Sequence, residues 1–212
     1  MGESAKMTVW FTAQSGNFMA VAERERKKKI DYEEYLTMPE TNLRYEIVDG
    51  EMIMSPAPTS EHQWFLSNLL DALRPYVKRK KLGVVLPAPV DVMIRKAPLK
   101  TRQPDILFLS AERTGITGRA QLRNMPVIEV APDLVVEVLS PSDMRGVLRN
   151  KFQDYIKIGV RECWLISPEA ETVEVLRLSP EGAKRIYLFG AGDTLRSDIL
   201  PGFKMKVDEI FA

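Results

Sequence analysis

Two acidic residues lie within or beside segments that are otherwise apolar. Glu137 stands inside the run L-V-V-E-V-L, and Asp105 directly precedes I-L-F-L. A run that is apolar on both faces predicts a buried strand, and a carboxylate buried there needs a cation, a proton or several hydrogen-bond donors. Lys151 lies farther along the chain. Two acids and a lysine indicate a divalent-metal site for phosphodiester chemistry.

Hydrophobic patterning predicts the elements that hold these three residues. Asp105 opens one strand, Glu137 lies near the end of another, and Lys151 stands in the first half of a helix that ends at Gly159. If the two strands are antiparallel neighbours, both acids fall at one edge of the sheet, and a short Ser-Pro link tethers the helix to that edge. Two carboxylates suit Mg²⁺ or Mn²⁺, which take their other ligands from water and substrate phosphate. Lys151 would position or activate the water, or stabilise the charge of the transition state.

The order of the predicted elements gives the fold class. Residues 1–29 lack sustained periodicity and end in R-E-R-K-K-K, which indicates an extension before a single domain of residues 30–212. In that domain a short helix and a hairpin precede a long helix, further strands, a second helix and three C-terminal strands. This order predicts an α/β fold: a mixed sheet flanked by helices, with an N-terminal β-hairpin and antiparallel C-terminal strands.

The N-terminal hairpin carries a further acid. Asp49-Gly50 predicts a two-residue turn that pairs Glu46 with Ile53. Glu46 then lies on a largely apolar face. Two interpretations stay open: a solvated residue at a sheet edge, or a third acid close to Asp105 and Glu137, acting as an outer metal ligand or orienting water.

A long helix follows the hairpin and carries the single histidine of the chain, His62. Ser60 and Gln63 predict a capping box at its start, and Gly83 is predicted to end it. Leucines spaced one turn apart continue from His62 and point it inward. A lone histidine on such a stripe is more often a packed, hydrogen-bonded residue than a catalyst. We therefore expect His62 to support the acids rather than to react.

Composition excludes several other classes of function. With one histidine and one cysteine, Cys163, a single chain cannot build a zinc site of the usual type, and the glycine patterns of P-loop and dinucleotide-binding proteins are absent. No apolar run reaches the ~18 residues of a membrane span, and the single cysteine fits the reducing cytoplasm. The net charge of +1 gives no overall attraction to nucleic acid. A basic cluster at residues 95–102, however, leads into the Asp105 strand and is placed to contact a phosphate backbone.

Several short motifs, taken in their order and spacing, resemble a known family. They are spread over residues 31–180 and read L-R-Y-E-I-V-D-G-E-M, S-E-H-Q, Q-P-D-I-L-F, A-P-D-L-V-V-E-V-L-S-P-S, K-F-Q-D-Y and G-V-R-E-C-W-L-I. The pattern resembles the PD-(D/E)XK phosphodiesterases, which have the restriction-endonuclease-like fold. It is most similar to the bacterial Uma-two family, whose members are assigned as endonucleases.

The resemblance implies a Mg²⁺- or Mn²⁺-dependent endonuclease that acts on DNA. The first acid of the family motif falls on Asp105 and the second on Glu137. The lysine that normally follows the second acid by two residues is replaced by Leu139, and its role falls on Lys151 in the next helix. Gln103, which opens the Q-P-D motif, is a supporting residue.

Some positions depart from the family pattern. Pro132-Asp133 lies too close to Glu137 to contain the first acid and is expected to start the strand. Val147, Asn150 and Ser167 stand where many relatives carry acidic residues. These departures concern surface contacts more than the metal site.

Other functions stay open beside the enzyme. One alternative is a non-catalytic nucleic-acid- or protein-binding module on the same fold, and another is a structural homo-oligomer whose acids are held by Arg102 or Arg145. For the enzyme we expect a homodimer, because duplex cleavage often needs two active sites and the C-terminal strands offer exposed edges. Removal of Glu137 is expected to stabilise the metal-free protein by relieving repulsion from Asp105.

Overall fold

The computed structural model of the protein describes residues 29–140 and 145–212. The predicted extension, residues 1–29, lies outside these ranges except for its last residue. The helices are α1 Tyr32–Thr37, α2 Ser60–Lys80, α3 Ala111–Thr114, α4 Arg119–Leu122, α5 Arg145–Ile158 and α6 Asp208–Phe211. The strands are β1 Tyr45–Val48, β2 Glu51–Met54, β3 Gly83–Pro87, β4 Val92–Arg95, β5 Lys100–Arg102, β6 Ile106–Ser110, β7 Leu134–Val138, β8 Glu162–Ser167, β9 Thr172–Ser179, β10 Gly182–Phe189, β11 Thr194–Leu195 and β12 Met205–Lys206.

A six-stranded mixed sheet in the order β10-β9-β8-β7-β6-β3 forms the centre of the protein. β7 and β8 run parallel and are joined through α5, as a parallel pair requires a crossover. The other neighbouring strands are antiparallel. The predicted fold class, a mixed sheet flanked by helices with an N-terminal hairpin and C-terminal antiparallel strands, is confirmed.

The two faces of this sheet are buried by different helices. Leu134 and Val136 of β7 pack in the cluster formed with α2, whereas Val135 packs in the cluster formed with α5. Successive side chains of a strand point to opposite faces. Glu137 therefore shares a face with Val135 and is directed toward α5, the helix that carries Lys151.

A third, smaller cluster lies beside the sheet and supports the N-terminal hairpin. Tyr35 of α1 and Ile47 of β1 pack there against Met93 and Leu99, which belong to the β4–β5 region. Asp49 and Gly50 both have positive φ, as a two-residue hairpin turn of this kind requires. The hairpin is thus held at a fixed position next to the sheet.

Both ends of α2 differ from the sequence prediction. Thr59 rather than Ser60 is the N-cap, and its side chain accepts a hydrogen bond from His62 N at 3.1 Å. The helix ends at Lys80, before a left-handed Lys81, and Gly83 instead begins β3. A Cβ atom at Gly83 would lie 2.0 Å from the carbonyl oxygen of Leu109. Glycine is required there because β3 and β6 approach closely.

Within the two described ranges, no helix combines the length and the apolar character needed to cross a membrane.

Candidate active site

Asp105 lies immediately before β6 and is almost fully buried. Its Oδ1 atom accepts a hydrogen bond from Arg44 Nη2 at 2.8 Å, and its Oδ2 atom accepts one from the backbone N–H of Val138 at 2.8 Å. His62 Nε2 lies 3.3 Å from the same Oδ2 atom. Burial acts to raise the pKa of Asp105, but contacts with His62, Arg44 and Val138 outweigh it, and the pKa falls below its ordinary value. Asp105 is therefore held as a carboxylate.

Glu137 is the second buried acid and has its own cation. Its Oε2 atom lies 2.8 Å from Lys151 Nζ, and its Oε1 atom accepts a hydrogen bond of 2.5 Å from the hydroxyl of Tyr155. Burial raises the pKa of Glu137 despite the positive charge of Lys151. Burial alone would lower the pKa of Lys151, but the charges of Glu137 and Glu46 outweigh it and raise the pKa above the ordinary lysine value. Lys151 is therefore an ammonium ion at neutral pH.

The two acids converge through the pairing of β6 with β7. The strands are antiparallel, and Ile106 pairs with Val136. Asp105 and Glu137, each one residue beyond this pair, consequently lie at the same edge of the sheet. The hydrogen bond from Val138 N to Asp105 fixes that proximity. The antiparallel pairing on which this convergence depends is therefore present.

Glu46 belongs to the same site and is partly buried, with a side chain 13% exposed, rather than a solvated edge residue. It pairs with Ile53 in the hairpin, as predicted. Its Oε2 atom lies 2.5 Å from Arg102 Nη1, and its Oε1 atom accepts a hydrogen bond from Gln103 N at 3.3 Å. The same Oε1 atom is 3.8 Å from Lys151 Nζ. Lys151 therefore lies between Glu46 and Glu137.

A second ion-pair cluster positions α5 against β5. Asp154 accepts hydrogen bonds from Arg102 Nε at 2.8 Å and from Lys100 Nζ at 2.7 Å. Asp154 lies between Lys151 and Tyr155 in the sequence, so one helix presents all three side chains to the site. Since Arg102 contacts both Glu46 and Asp154, it connects the hairpin to α5.

Several buried polar atoms at the site have no hydrogen-bond partner among the residues that the structure describes. They are Arg44 Nε, His62 Nδ1 and Gln103 Oε1. Buried polar atoms are rarely left unpaired in folded proteins. The edge of the site therefore retains unused donors and acceptors for water or for a substrate.

All six residues singled out from the sequence meet in one connected network. Asp105, Glu137 and Lys151 form its centre, and Glu46, His62 and Gln103 border it in the contacts given above. No sequence pattern had singled out three further residues of the site: Arg44, Tyr155 and Asp154. Two of them could have been found from their spacing. Arg44 precedes Glu46 by two residues, the spacing of one strand face, and Tyr155 follows Lys151 by four, the spacing of one helix face.

The ion pairs proposed for a purely structural role are different from those observed. Arg102 contacts Glu46 and Asp154, and the cation that pairs with Asp105 is Arg44. The side chain of Arg145 lies outside the described residues. Asp133, the excluded candidate for the first acid, is fully buried and paired with Arg113 and Arg161, each at 2.8–2.9 Å. It anchors the start of β7, at the end of that strand opposite Glu137.

The donor set at the sheet edge fits a hard divalent cation. Asp105 and Glu137 offer carboxylate oxygens, the donors that Mg²⁺ and Mn²⁺ prefer. In residues 29–140 and 145–212, no three or more His, Cys, Asp or Glu side chains are grouped so as to hold a metal ion. Two carboxylates nevertheless fit Mg²⁺, because this ion keeps several waters and binds substrate phosphate. Glu46, directed at Lys151 and Arg102, fits a positioning role better than direct ligation.

Comparison with known proteins identifies the family of the chain and supports its fold. A family model described as "Uma2: Putative restriction endonuclease" matches residues 32–208. The solved structure of a "putative nuclease belonging to DUF820" from Anabaena variabilis is 21% identical and has a TM-score of 0.67. That match covers 86% of this chain and 97% of the other, and it supports the fold. No curated protein matches the sequence. Since the family model spans most of its length, this chain belongs to the Uma2 family of restriction-endonuclease-like proteins.

Proposed function

We propose that the protein is a Mg²⁺- or Mn²⁺-dependent endonuclease that hydrolyses DNA through Asp105, Glu137 and Lys151. The observation that carries the proposal is the junction of β6, β7 and α5. There the carboxylate of Asp105 accepts the N–H of Val138, and Glu137 lies 2.8 Å from the ammonium of Lys151. Two buried acids and a buried cation are costly to maintain, and membership of the Uma2 family favours a catalytic reason for them.

Each residue has a distinct task in this proposal. Asp105 and Glu137 hold the metal, which when bound lowers the pKa of a coordinated water and neutralises charge on the scissile phosphate. Lys151 is charged at neutral pH, so it cannot accept a proton from water. It stabilises the negative charge that develops on the phosphate and orients the attacking water.

The remaining contacts orient these three groups. Glu46 holds the ammonium of Lys151 from the side opposite Glu137. Arg44 and His62 fix the orientation of the Asp105 carboxylate. We assign these residues to positioning.

A groove beside β3 supports nucleic acid as the substrate. Its volume is about 690 Å³, and four basic residues contribute to its wall: Arg74, Lys78, Lys81 and Arg119. None of the four has an ion-pair partner within the described ranges. The groove follows β3, whose last residue pairs with Ile106, next to Asp105. Its basic residues lie toward the opposite end of β3, where Gly83 pairs with Ser110. We propose that they contact the phosphate backbone at a distance from the cleavage site, so a Lys78→Glu/Lys81→Glu variant should bind DNA more weakly and with a smaller salt dependence.

Duplex cleavage further favours a symmetric homodimer. β10 is an outermost strand of the central sheet, on the side opposite β3, and its Leu188 is 52% exposed. An edge strand with an exposed apolar residue is a natural pairing surface. Light scattering should then give about twice the chain mass of 24.1 kDa at micromolar concentration. A mass equal to that of one chain would contradict the dimer.

The cleavage activity is tested directly on DNA. Supercoiled, linear, single-stranded and branched DNA are incubated with the purified protein and Mg²⁺, Mn²⁺ or EDTA, beside an Asp105→Asn variant purified in the same way. We expect metal-dependent hydrolysis by the wild type and none by the variant. Equal cleavage by both proteins would indicate a contaminating nuclease, and no cleavage of any DNA would contradict the proposal.

One observation favours a second candidate, a non-catalytic binding module. All four carboxylate oxygens of Asp105 and Glu137 already have protein partners. A closed network of this kind stabilises a fold without a metal. The two candidates differ in metal binding: the enzyme binds Mn²⁺ at this edge, and the module does not.

A further inference from the structure

A cavity separate from the catalytic carboxylates lies next to Gln103. Its volume is about 670 Å³, within the size range of small-molecule pockets. Helix α1 with the chain that follows it forms one side, and segments 89–91 and 125–128 form the other. The walls combine apolar residues and the rings of Tyr35 and Tyr45 with polar side chains such as Thr41 and Asn42. Such walls suit a flat ligand with apolar faces and polar edges.

Asp91 is the acidic residue of the inner wall. Its Oδ2 atom accepts a hydrogen bond from the hydroxyl of Tyr35 at 2.8 Å, and its Oδ1 atom accepts one from Gln103 Nε2 at 3.2 Å. No cation pairs with Asp91 in the part of the chain that the structure describes. Burial raises the pKa of Asp91, and these hydrogen bonds only partly offset that effect. Further N–H donors from a ligand would stabilise its charged form.

Gln103 provides a second, unused acceptor. The residue is 4% exposed, and its Oε1 atom has no hydrogen-bond partner among the described residues. Rotating the Gln103 side-chain amide by half a turn does not give its oxygen a donor, because the rotation would place that oxygen against the Asp91 carboxylate. An unpaired buried acceptor is unfavourable. A ligand that donates a hydrogen bond to it would remove that cost.

The cavity is connected to the catalytic edge through the backbone of Gln103. The N–H of Gln103 is bonded to Glu46 Oε1, and its carbonyl oxygen accepts a hydrogen bond from Arg44 Nη2 at 3.3 Å. Arg44 in turn contacts Asp105. The cavity therefore borders the residues that hold Asp105, so a base of a substrate bound at Asp105 is the ligand to consider first.

We propose that the cavity binds one unstacked nucleobase of the substrate, with preference for guanine. This inference rests on the proposed nuclease function and adds a base-recognition subsite to it. Guanine presents two adjacent N–H donor groups, N1–H and the N2 amino group, which match the acceptors of Asp91 and Gln103. Adenine and cytosine each present one amino group, and thymine presents one ring N–H. Bases held outside the stack are commonly read by hydrogen bonds to this edge between aromatic or apolar side chains.

Titration with free deoxynucleosides tests the subsite without a phosphate group. Deoxyguanosine, deoxyadenosine, deoxycytidine and thymidine are added to the full-length protein in EDTA, and binding is followed by calorimetry and by the NMR signal of the Gln103 side-chain amide. We expect deoxyguanosine to bind most tightly and to shift that signal. Asp91→Asn should weaken deoxyguanosine binding by about tenfold or more, the effect of losing a charge-assisted hydrogen bond. Asp198→Asn, which removes an exposed carboxylate distant in sequence, should leave the affinity unchanged.

The results separate this subsite from the nuclease proposal. No nucleoside binding, or equal affinity for all four, would overturn the subsite even if the protein cleaves DNA. Selective deoxyguanosine binding by a protein that never cleaves DNA would support the subsite and contradict the nuclease. The wild-type series gives this answer whether or not the Asp91→Asn variant folds.

Discussion

Lys151 Nζ lies 2.8 Å from Glu137 Oε2, although the lysine belongs to α5 and the glutamate to β7. In the family motif the lysine stands two residues after the second acid, where this chain has Leu139. Glu137 points to the α5 face of the sheet, so the helix can deliver an ammonium group to the place that a strand lysine would otherwise fill. We therefore propose that Lys151 supplies the charge that the motif lysine would carry.

The ion pair predicts how loss of Glu137 affects stability. In Glu137→Ala the partly buried ammonium of Lys151 loses its nearer carboxylate and keeps only Glu46, and the hydroxyl of Tyr155 loses its acceptor. The free energy of unfolding should therefore fall, by up to about 3–5 kcal/mol. This revises the expectation from sequence that removal would stabilise the metal-free protein by relieving desolvation and repulsion from Asp105. Glu137→Gln keeps an acceptor for Tyr155 and should cost less. Urea unfolding measures both, and a stabilised Glu137→Ala protein would show that repulsion from Asp105 dominates.

Replacement of Lys151 separates catalysis from metal binding. Lys151→Met keeps most of the side-chain volume and removes the charge, so DNA cleavage should fall at least 100-fold. Mn²⁺ binding should persist, because Asp105 and Glu137 remain and the competing ammonium is gone. Lys157→Met, at an exposed position of the same helix, is the matched control and should behave like the wild type. Unchanged cleavage by Lys151→Met would exclude the proposed role.

Glu46 and His62 should differ in their effects on cleavage. Glu46 contacts Lys151, Arg102 and Gln103, whereas His62 makes a single long contact of 3.3 Å with Asp105. Glu46→Gln should therefore lower kcat substantially, and His62→Ala should lower it less. Steady-state kinetics on one DNA substrate gives the ranking. The reverse order would assign the more direct role to His62.

The convergence of the acids could be predicted because it depends on local signals. Apolar runs fix the strands of Asp105 and Glu137, and the place of each acid in its strand fixes the sheet edge once the strands are antiparallel. The Asp49-Gly50 turn likewise fixes the register of Glu46. These features follow from side-chain alternation and turn chemistry, which depend on residues that are neighbours in the sequence.

The cation partners could not be predicted in the same way. Arg44 reaches Asp105, and Arg102 bridges Glu46 and Asp154, only because the hairpin packs beside the sheet through Tyr35, Ile47 and Leu99. That packing is a tertiary arrangement with no periodic signal. The prediction of Ser60 as the cap of α2 was also wrong, because backbone geometry places Thr59 at that position although serine is the more common cap.

Glu162 predicts a pH dependence of stability that is independent of the metal site. The buried carboxyl accepts hydrogen bonds from Trp164 Nε1 at 2.8 Å and Ser197 Oγ at 2.5 Å. Burial nevertheless raises its pKa above the ordinary 4.5. The folded state therefore binds this proton more tightly than the unfolded state, and the stability gained is complete below pH ~4.5 and lost as pH rises through the folded pKa.

A non-titrating variant isolates that effect. The difference in unfolding free energy between wild type and Glu162→Gln should move against the wild type as pH rises from 4 to 8. Chemical denaturation at several pH values measures it, with Glu169→Gln, an exposed position, as the control. A difference that stays constant with pH would mean that the folded pKa of Glu162 is not raised.

Calorimetric titration with Mn²⁺ examines the metal site itself, because it does not depend on knowing the natural DNA substrate. We expect the wild-type protein to bind Mn²⁺ at millimolar or lower concentration, one site per chain. We expect no binding by the folded double variant Asp105→Asn/Glu137→Gln. Absence of binding to the wild type at millimolar Mn²⁺, or equal binding by the double variant, would contradict a metal-dependent site at Asp105 and Glu137.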